Sequence, residues 1–174
     1  MNISTDTLKP EQPEFYDAVE SLAEQAFGPG RFARAAFRLR EGVMHEAELS
    51  FVLLRKEELI GSVRLTKIMV GDNEALLLGP LVVKPEFKNC GIGAQLMKKA
   101  VSSAREAGFE AIILVGDFDY YKKYGFKQLP HKQIELPGPA DPARILICPL
   151  VEGIESKFSG QARRYEVKPG SQID

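Results

Sequence analysis

The sequence predicts an α/β (α+β) fold: a mixed, mostly antiparallel central sheet of six to seven strands with helices on both faces. Three observations predict it. Ala75-Leu76-Leu77-Leu78-Gly79-Pro80-Leu81-Val82-Val83 carries no polar side chain, which reads as a central strand covered on both faces. From about Gly91 to Ala107 the apolar residues Ile92, Leu96, Met97, Ala100, Val101 and Ala104 fall at helical spacing. Ala111-Ile112-Ile113-Leu114-Val115 then supplies a second buried strand. A strand–helix–strand unit crosses over right-handed, so strands 76–83 and 111–115 run parallel, and the remaining strands are mostly antiparallel.

The other elements follow in order. Residues 1–12 are polar, with a short strand near Ile3. Phe15, Val19, Leu22, Ala23, Ala26 and Phe27 make one face of a helix that Gly28-Pro29-Gly30 stops. A second helical stretch runs from Phe32 to Leu39, dense in arginine at Arg31, Arg34, Arg38 and Arg40. Leu49 to Leu54 is a strand, Lys56-Glu57-Glu58 a turn, and Leu59 to Val70 a longer strand closed by Gly71-Asp72-Asn73. Gly108 caps the long helix. Tyr120 to Tyr124 forms a short helix ended by Gly125, and two further strands begin at Phe126 and at Arg144. After about Ser156 the chain is polar and without pattern.

Composition excludes several function classes. With 23 basic and 24 acidic residues the net charge is −1, without the basic excess of a general nucleic-acid binder. Cys90 and Cys148 form no CxxC pair, and with only His45 and His131 they make no structural zinc site. No metal is expected. The N-terminus lacks a basic and apolar leader, and no window reaches 18 apolar residues. The expectation is a cytoplasmic protein with no membrane partner. The oligomeric state stays open, and a homodimer is compatible with the sequence.

Two features carry chemistry. Lys88-Asn89-Cys90-Gly91-Ile92-Gly93-Ala94 joins the central strand to a helix start. The first four N–H groups of a helix lack partners and its N-terminus is electropositive, so the loop suits a pyrophosphate. Lys84, Lys88, Lys98 or Lys99 could add charge at its rim. A tight turn without a ligand is the alternative. The loop is neither the dinucleotide fingerprint, since Leu96 replaces the third glycine, nor a P-loop. Gly79-Pro80 interrupts the central strand, because proline cannot donate to a ladder. A bulge there frees backbone groups of Leu81, Val82 and Val83 for a peptide-like ligand arm; an ordinary edge bulge is the other reading.

Three segments together resemble one family. They are Leu76-Leu77-Leu78 running into Gly79-Pro80-Leu81-Val82-Val83, Lys88-x-x-Gly91-x-Gly93-Ala94, and Gly116-Asp117-Phe118-Asp119-Tyr120-Tyr121-Lys122-Lys123-Tyr124-Gly125-Phe126. They are similar to the GNAT superfamily of N-acetyltransferases, in a bacterial branch to which Gly28-Pro29-Gly30-Arg31-Phe32 and Gly61-Ser62-Val63-Arg64-Leu65 also fit. The resemblance implies one domain over 1–174, with its core at about 14–150 and a C-terminal extension at about 151–174. It implies acetyl-CoA as cofactor, lying where the two parallel strands splay apart. The implied cofactor-binding residues are Leu81, Val82, Val83, Lys88, Asn89, Cys90, Gly91, Ile92, Gly93 and Ala94, with Asp117 and Tyr120. Lys88 departs from the family, which prefers Arg or Gln there and so gains a planar fork.

The implied activity is direct transfer of an acetyl group to a primary amine of a small-molecule or protein acceptor. The alternative is a non-catalytic acyl-CoA-binding sensor or interaction domain. Tyr121, four residues before Gly125, matches the family's general acid. A tyrosine at ~10 and a thiol at ~8.5 make full proton transfer uphill by about 2 kcal/mol. Tyr121 therefore acts as a hydrogen-bond donor or has a lowered pKa, and Tyr120 is the fallback. Where some relatives carry a strand glutamate this chain has Leu77, so Glu74, Asp117, Asp119, His131 or water is left as base. Neutralising a lysine-like amine at pH 7 costs about 4.6 kcal/mol, an α-amine only about 1.1 kcal/mol. The arginines of the second helix recognise an acidic acceptor or form a solvated helix face. Cys90 reads as a small loop residue.

Overall fold

The computed structural model describes residues 5–30 and 34–166. In chain order it places β1 (Asp6–Pro10), α1 (Tyr16–Phe27), α2 (Ala35–Arg40), β2 (Phe51–Arg55), β3 (Glu58–Val70), β4 (Asn73–Val83), α3 (Ile92–Glu106), β5 (Ala111–Val115), α4 (Phe118–Tyr121), β6 (Lys127–Gln128), β7 (Ile134–Glu135), β8 (Ile145–Pro149) and β9 (Gly160–Arg164). The sheet order is β1-β2-β3-β4-β5-β8-β6, with β9 pairing β3 and β7. Along this path β4 and β5 are parallel and every other pair is antiparallel.

Alternation along β4 sets the layers. Leu76 and Leu78 join Ile112, Leu114 and the buried stripe of α3 on one face. Ala75 and Leu77 join Ile113, Ile147 and Leu39 of α2 on the other. The side-chain period of two makes one strand serve both cores. On that second face α1 sets Val19 against Val52 and Leu54, and Leu22 and Ala23 against Val82. Gly61 lets α3 approach β3: a Cβ there would stand 2.9 Å from Ile92 Cγ2 and 3.0 Å from Leu96 Cδ1. No helix among the described residues is long and apolar enough to cross a membrane.

Two expectations are corrected. The described residues hold nine strands rather than six to seven. One of the additional strands is β9, inside the tail expected to be patternless. It pairs Ala162, Arg163 and Arg164 with the far end of β3 and buries only Ala162. β1 lies at 6–10, while Ile3, Arg31 and Phe32 fall outside the described residues.

Candidate functional site

β4 and β5 part company in mid-sheet. Their parallel pairing covers Leu76↔Ile112 and Leu77↔Ile113. Beyond that, β4 stays with β3 as far as Val83↔Gly61. β5 stays with β8 as far as Val115↔Ile145, and Gly116 N–H still reaches the Arg144 carbonyl at 2.9 Å. A gap opens between them. The expected bulge lies on its β4 edge, where the register shifts between Leu65↔Leu78 and Val63↔Leu81, and the Gly79–Pro80 bond is cis.

The bulge does not free Leu81, Val82 and Val83 entirely, since all three stay in register with β3. Lys84 N–H bonds to the Ile60 carbonyl at 2.8 Å. Antiparallel ladders alternate bonded and non-bonded pairs, so Val82 faces β3 with its backbone groups. Those of Leu81 and Val83 turn toward the gap.

At the end of β4 the chain passes through a Pro85–Phe87 turn into the glycine loop. Asn89 (φ 63°) and Gly91 (φ 79°) take left-handed backbone. The first intrahelical bond of α3 runs from Gln95 N–H to the Gly91 carbonyl at 3.1 Å, which leaves the N–H groups of Ile92, Gly93 and Ala94 pointing out of the helix start. No side chain caps this end. Lys88 and Lys98 are exposed. Lys84 is engaged with Glu58, and Lys99 lies 5.5 Å from the centre of the Phe51 ring. These outward N–H groups, the gap-facing edge of β4 and the flanking lysines fit a ligand with an amide-bearing arm and a pyrophosphate.

The other wall is α4. Asp117 caps it, Oδ1 accepting the Asp119 N–H at 3.1 Å. Tyr120 Oη lies 2.7 Å from where a Cβ on Gly93 would be, so the tyrosine hydroxyl closes over the helix start. Gly93→Ala therefore has to push Tyr120 aside. That ring stacks edge-on against Tyr121 at 4.8 Å, so it cannot move alone. The expected outcome is a loss of CoA affinity by about tenfold, or ~1.4 kcal/mol, read by calorimetry. Pairing the change with Tyr120→Ala should return part of it.

Tyr121 is packed between Tyr120, Phe126 and Gly116. A Cβ on Gly116 would meet its Cε2 at 2.5 Å, so only glycine leaves room for the ring. Burial pushes its pKa up to about 12, with the neighbouring Tyr120 adding to the rise and Arg144 opposing it. The hydroxyl stays protonated at neutral pH. Of the two sequence options, this burial favours a hydrogen-bond donor over a tyrosine of lowered pKa.

A cavity of about 820 Å³ lies beside the bulge, lined by α1, α2, the C-terminal ends of β4 and β5, and the 139–144 segment. Tyr120, Tyr121, Asp117, Leu81, Arg34 and Arg40 line it. Arg38 turns away to the Pro137 carbonyl at 3.0 Å. Of the sequence candidates for a base, only Asp117 is in the lining. Glu74 pairs with Lys67 at 3.9 Å, Asp119 pairs with Lys122 at 2.9 Å, and His131 is exposed in a turn.

Sequence reasoning missed a buried cluster behind this cavity. Glu11, with no exposed side-chain area, accepts from Arg64 Nε at 3.0 Å and from Arg64 Nη2 at 2.6 Å. Arg64 Nη1 reaches Glu20 at 2.5 Å. Burial works against the Arg64 charge, but the bonds and charges of Glu11 and Glu20 prevail and raise its pKa. His45 Nε2 stands 3.5 Å from Glu11 Oε2 and makes no hydrogen bond. Burial lowers the His45 pKa despite the Glu11 charge, leaving the imidazole neutral at pH 7. One clue was available: Arg64 is a charge inside a strand otherwise apolar at Val63 and Leu65, and such a charge needs a carboxylate.

Residues 13–126 match the family model of the acetyltransferase (GNAT) family. The chain is 21% identical to the uncharacterized N-acetyltransferase YhbS of Escherichia coli over 164 residues, covering 91% of this chain and 96% of that protein. It is 25% identical to the uncharacterized N-acetyltransferase YjhQ of E. coli over 113 residues; the match spans 63% of this chain and 62% of YjhQ. Among solved structures, E. coli YhbS in complex with CoA superposes with a TM-score of 0.80 at 20% identity, covering 95% of this chain and 93% of that one. A GNAT acetyltransferase from Brucella melitensis in complex with acetyl-CoA superposes at 0.61 and 24% identity, covering 82% and 95%. With the matched segment holding the bulged strand, the glycine loop and the Tyr121 helix together, this chain belongs to the GNAT acetyltransferase family.

Proposed function

We propose that the protein is an acetyl-CoA-dependent N-acetyltransferase that acts by direct transfer to a primary amine. The observation that carries this reading is the gap between β4 and β5, with the glycine loop at one end and Tyr121 facing the cavity at the other. YhbS and the Brucella protein, both of this fold, hold CoA and acetyl-CoA.

When bound, acetyl-CoA supplies an acyl group activated as a thioester. The chain's own groups do the rest. The backbone of Leu81 and Val83 binds the amide-bearing arm. The N–H groups of the Lys88–Ala94 loop hold the pyrophosphate, with Lys88 adding charge. A gap-facing backbone N–H at Leu81 is a fixed donor for a carbonyl oxygen, placed without reorganisation. Tyr121 holds a proton at Oη for the leaving sulfur. The cavity seats the acceptor, and direct transfer in a ternary complex asks for no nucleophile from the protein.

The test is release of free thiol from acetyl-CoA with a panel of amines, alongside calorimetry against CoA, NAD and ATP. Tight binding of CoA alone with thiol release is expected. Binding of NAD or ATP in place of CoA, or CoA binding without transfer to any amine, would sink the reading.

A further inference from the structure

Charged side chains of both signs line the acceptor cavity. Arg34, Arg40, Arg64 and Arg144 line it, against Glu20, Asp117 and Asp141. Each carboxylate already has a donor. Glu20 takes Arg64, Asp117 takes the Asp119 N–H, and Asp141 takes the Ala143 N–H at 2.9 Å. Arg64 is in turn saturated by Glu11 and Glu20.

Arg40 is different. Like Arg34 and Arg144 it has no ion pair among the described residues, but of the four it is the one whose Nε is buried with no acceptor, its guanidinium lying 5.9 Å from the centre of the Phe37 ring. A buried donor without a partner on a charged group is costly and calls for an explanation. Burial and the neighbouring Arg64 lower its pKa to about 10, so it is still a cation at pH 7. Its position is informative as well. Nη1 lies 3.7 Å from where a Cβ on Gly79 would be, at the bulge itself. The free guanidinium thus sits where the acceptor cavity meets the β4–β5 gap.

Resting on the transfer reading above, we propose that Arg40 binds an oxyanion carried by the acceptor, a carboxylate or phosphate on the same small molecule as the reactive amine. A guanidinium offers a planar fork that matches either group.

The experiment pairs each anionic amine with its neutral counterpart: an α-amino acid against its amide, and phosphoethanolamine against ethanolamine. Thiol release is measured with wild type, Arg40→Gln and Arg40→Lys. Wild type should favour one anionic member over its partner by tenfold or more in kcat/KM, and the preferred pair tells carboxylate from phosphate. Arg40→Gln should raise KM for that substrate by tenfold or more, change kcat little, and level the preference, while Arg40→Lys restores part of it. CoA affinity by calorimetry should stay unchanged, which also certifies the fold. Equal use of charged and neutral partners by wild type, or an undiminished preference in Arg40→Gln, overturns the proposal. If Arg40→Gln fails to fold, Arg40→Lys carries the comparison, and an unchanged KM and preference in it overturn the proposal. If no amine is turned over, calorimetry with the N-acetylated acid and its amide takes over. Selective binding of the acid would uphold the anion site while transfer falls, and equal or absent binding would overturn the site.

Discussion

Tyr121→Phe is expected to lower kcat for acetyl transfer on the order of 10²-fold, the lower range for a positioned proton donor. CoA affinity should hold within about twofold, because the ring keeps its packing against Tyr120, Phe126 and Gly116. The size of the effect follows from what the hydroxyl can do. With a pKa of about 12, handing its proton fully to a thiolate of pKa ~8.5 is uphill by about 5 kcal/mol. In the proposed reaction Tyr121 therefore stabilises charge building on the sulfur through a hydrogen bond, and a departing thiolate can still leave without it, only more slowly. The pH profile separates this role from others. A raised tyrosine pKa keeps the donor form intact from pH 7 to pH 10. The rate should rise with pH as the acceptor amine loses its proton, with no falling limb below about pH 10 in wild type. A falling limb between pH 8 and 10 that vanishes in Tyr121→Phe would show a tyrosine that titrates early. An unchanged kcat in Tyr121→Phe would remove the assignment.

The parts of this molecule legible in the sequence are those written locally. β4 and α3 each carry their burial pattern within one short window, and the glycine loop lies between them. The parallel pair followed from the crossover and the bulge from a proline that no intact ladder accommodates, while the gap between the strands came only with the family resemblance. β9 was not legible, because Gly160-Gln161-Ala162-Arg163-Arg164 buries one alanine and is extended only through its pairing with β3 and β7. The acid–base surroundings were not legible for a related reason. Glu11 and Arg64 are 53 residues apart, and no spacing rule joins the end of an edge strand to the middle of β3. The base candidates chosen from the sequence were near the motif in chain order, and three of the four stand outside the cavity. Arg40 and Arg38 looked equivalent two residues apart on one helix. The fold sends one to the cavity and the other to a loop carbonyl.

Arg64→Met is expected to give the largest loss of stability, about 3–5 kcal/mol, a fall in Tm on the order of 10 °C for a domain of this size. The reason lies in what stays behind. Glu11 has no exposed side-chain area, so without Arg64 its carboxylate is left buried with no guanidinium against it, His45 Nε2 standing 3.5 Å away. Glu20, at the surface end of the same guanidinium, simply regains water. Removing both partners of the buried pair should cost less than removing one, so Glu11→Leu combined with Arg64→Met should recover part of the loss. The pH dependence fixes the mechanism. The cost of a buried, unpaired carboxylate is a cost of its charge, and acid removes that charge. The gap between wild type and Arg64→Met should therefore narrow on acidification. A loss below about 1 kcal/mol would show the pair behaving like a surface salt bridge. A gap independent of pH would place the cost in packing rather than in the Glu11 charge.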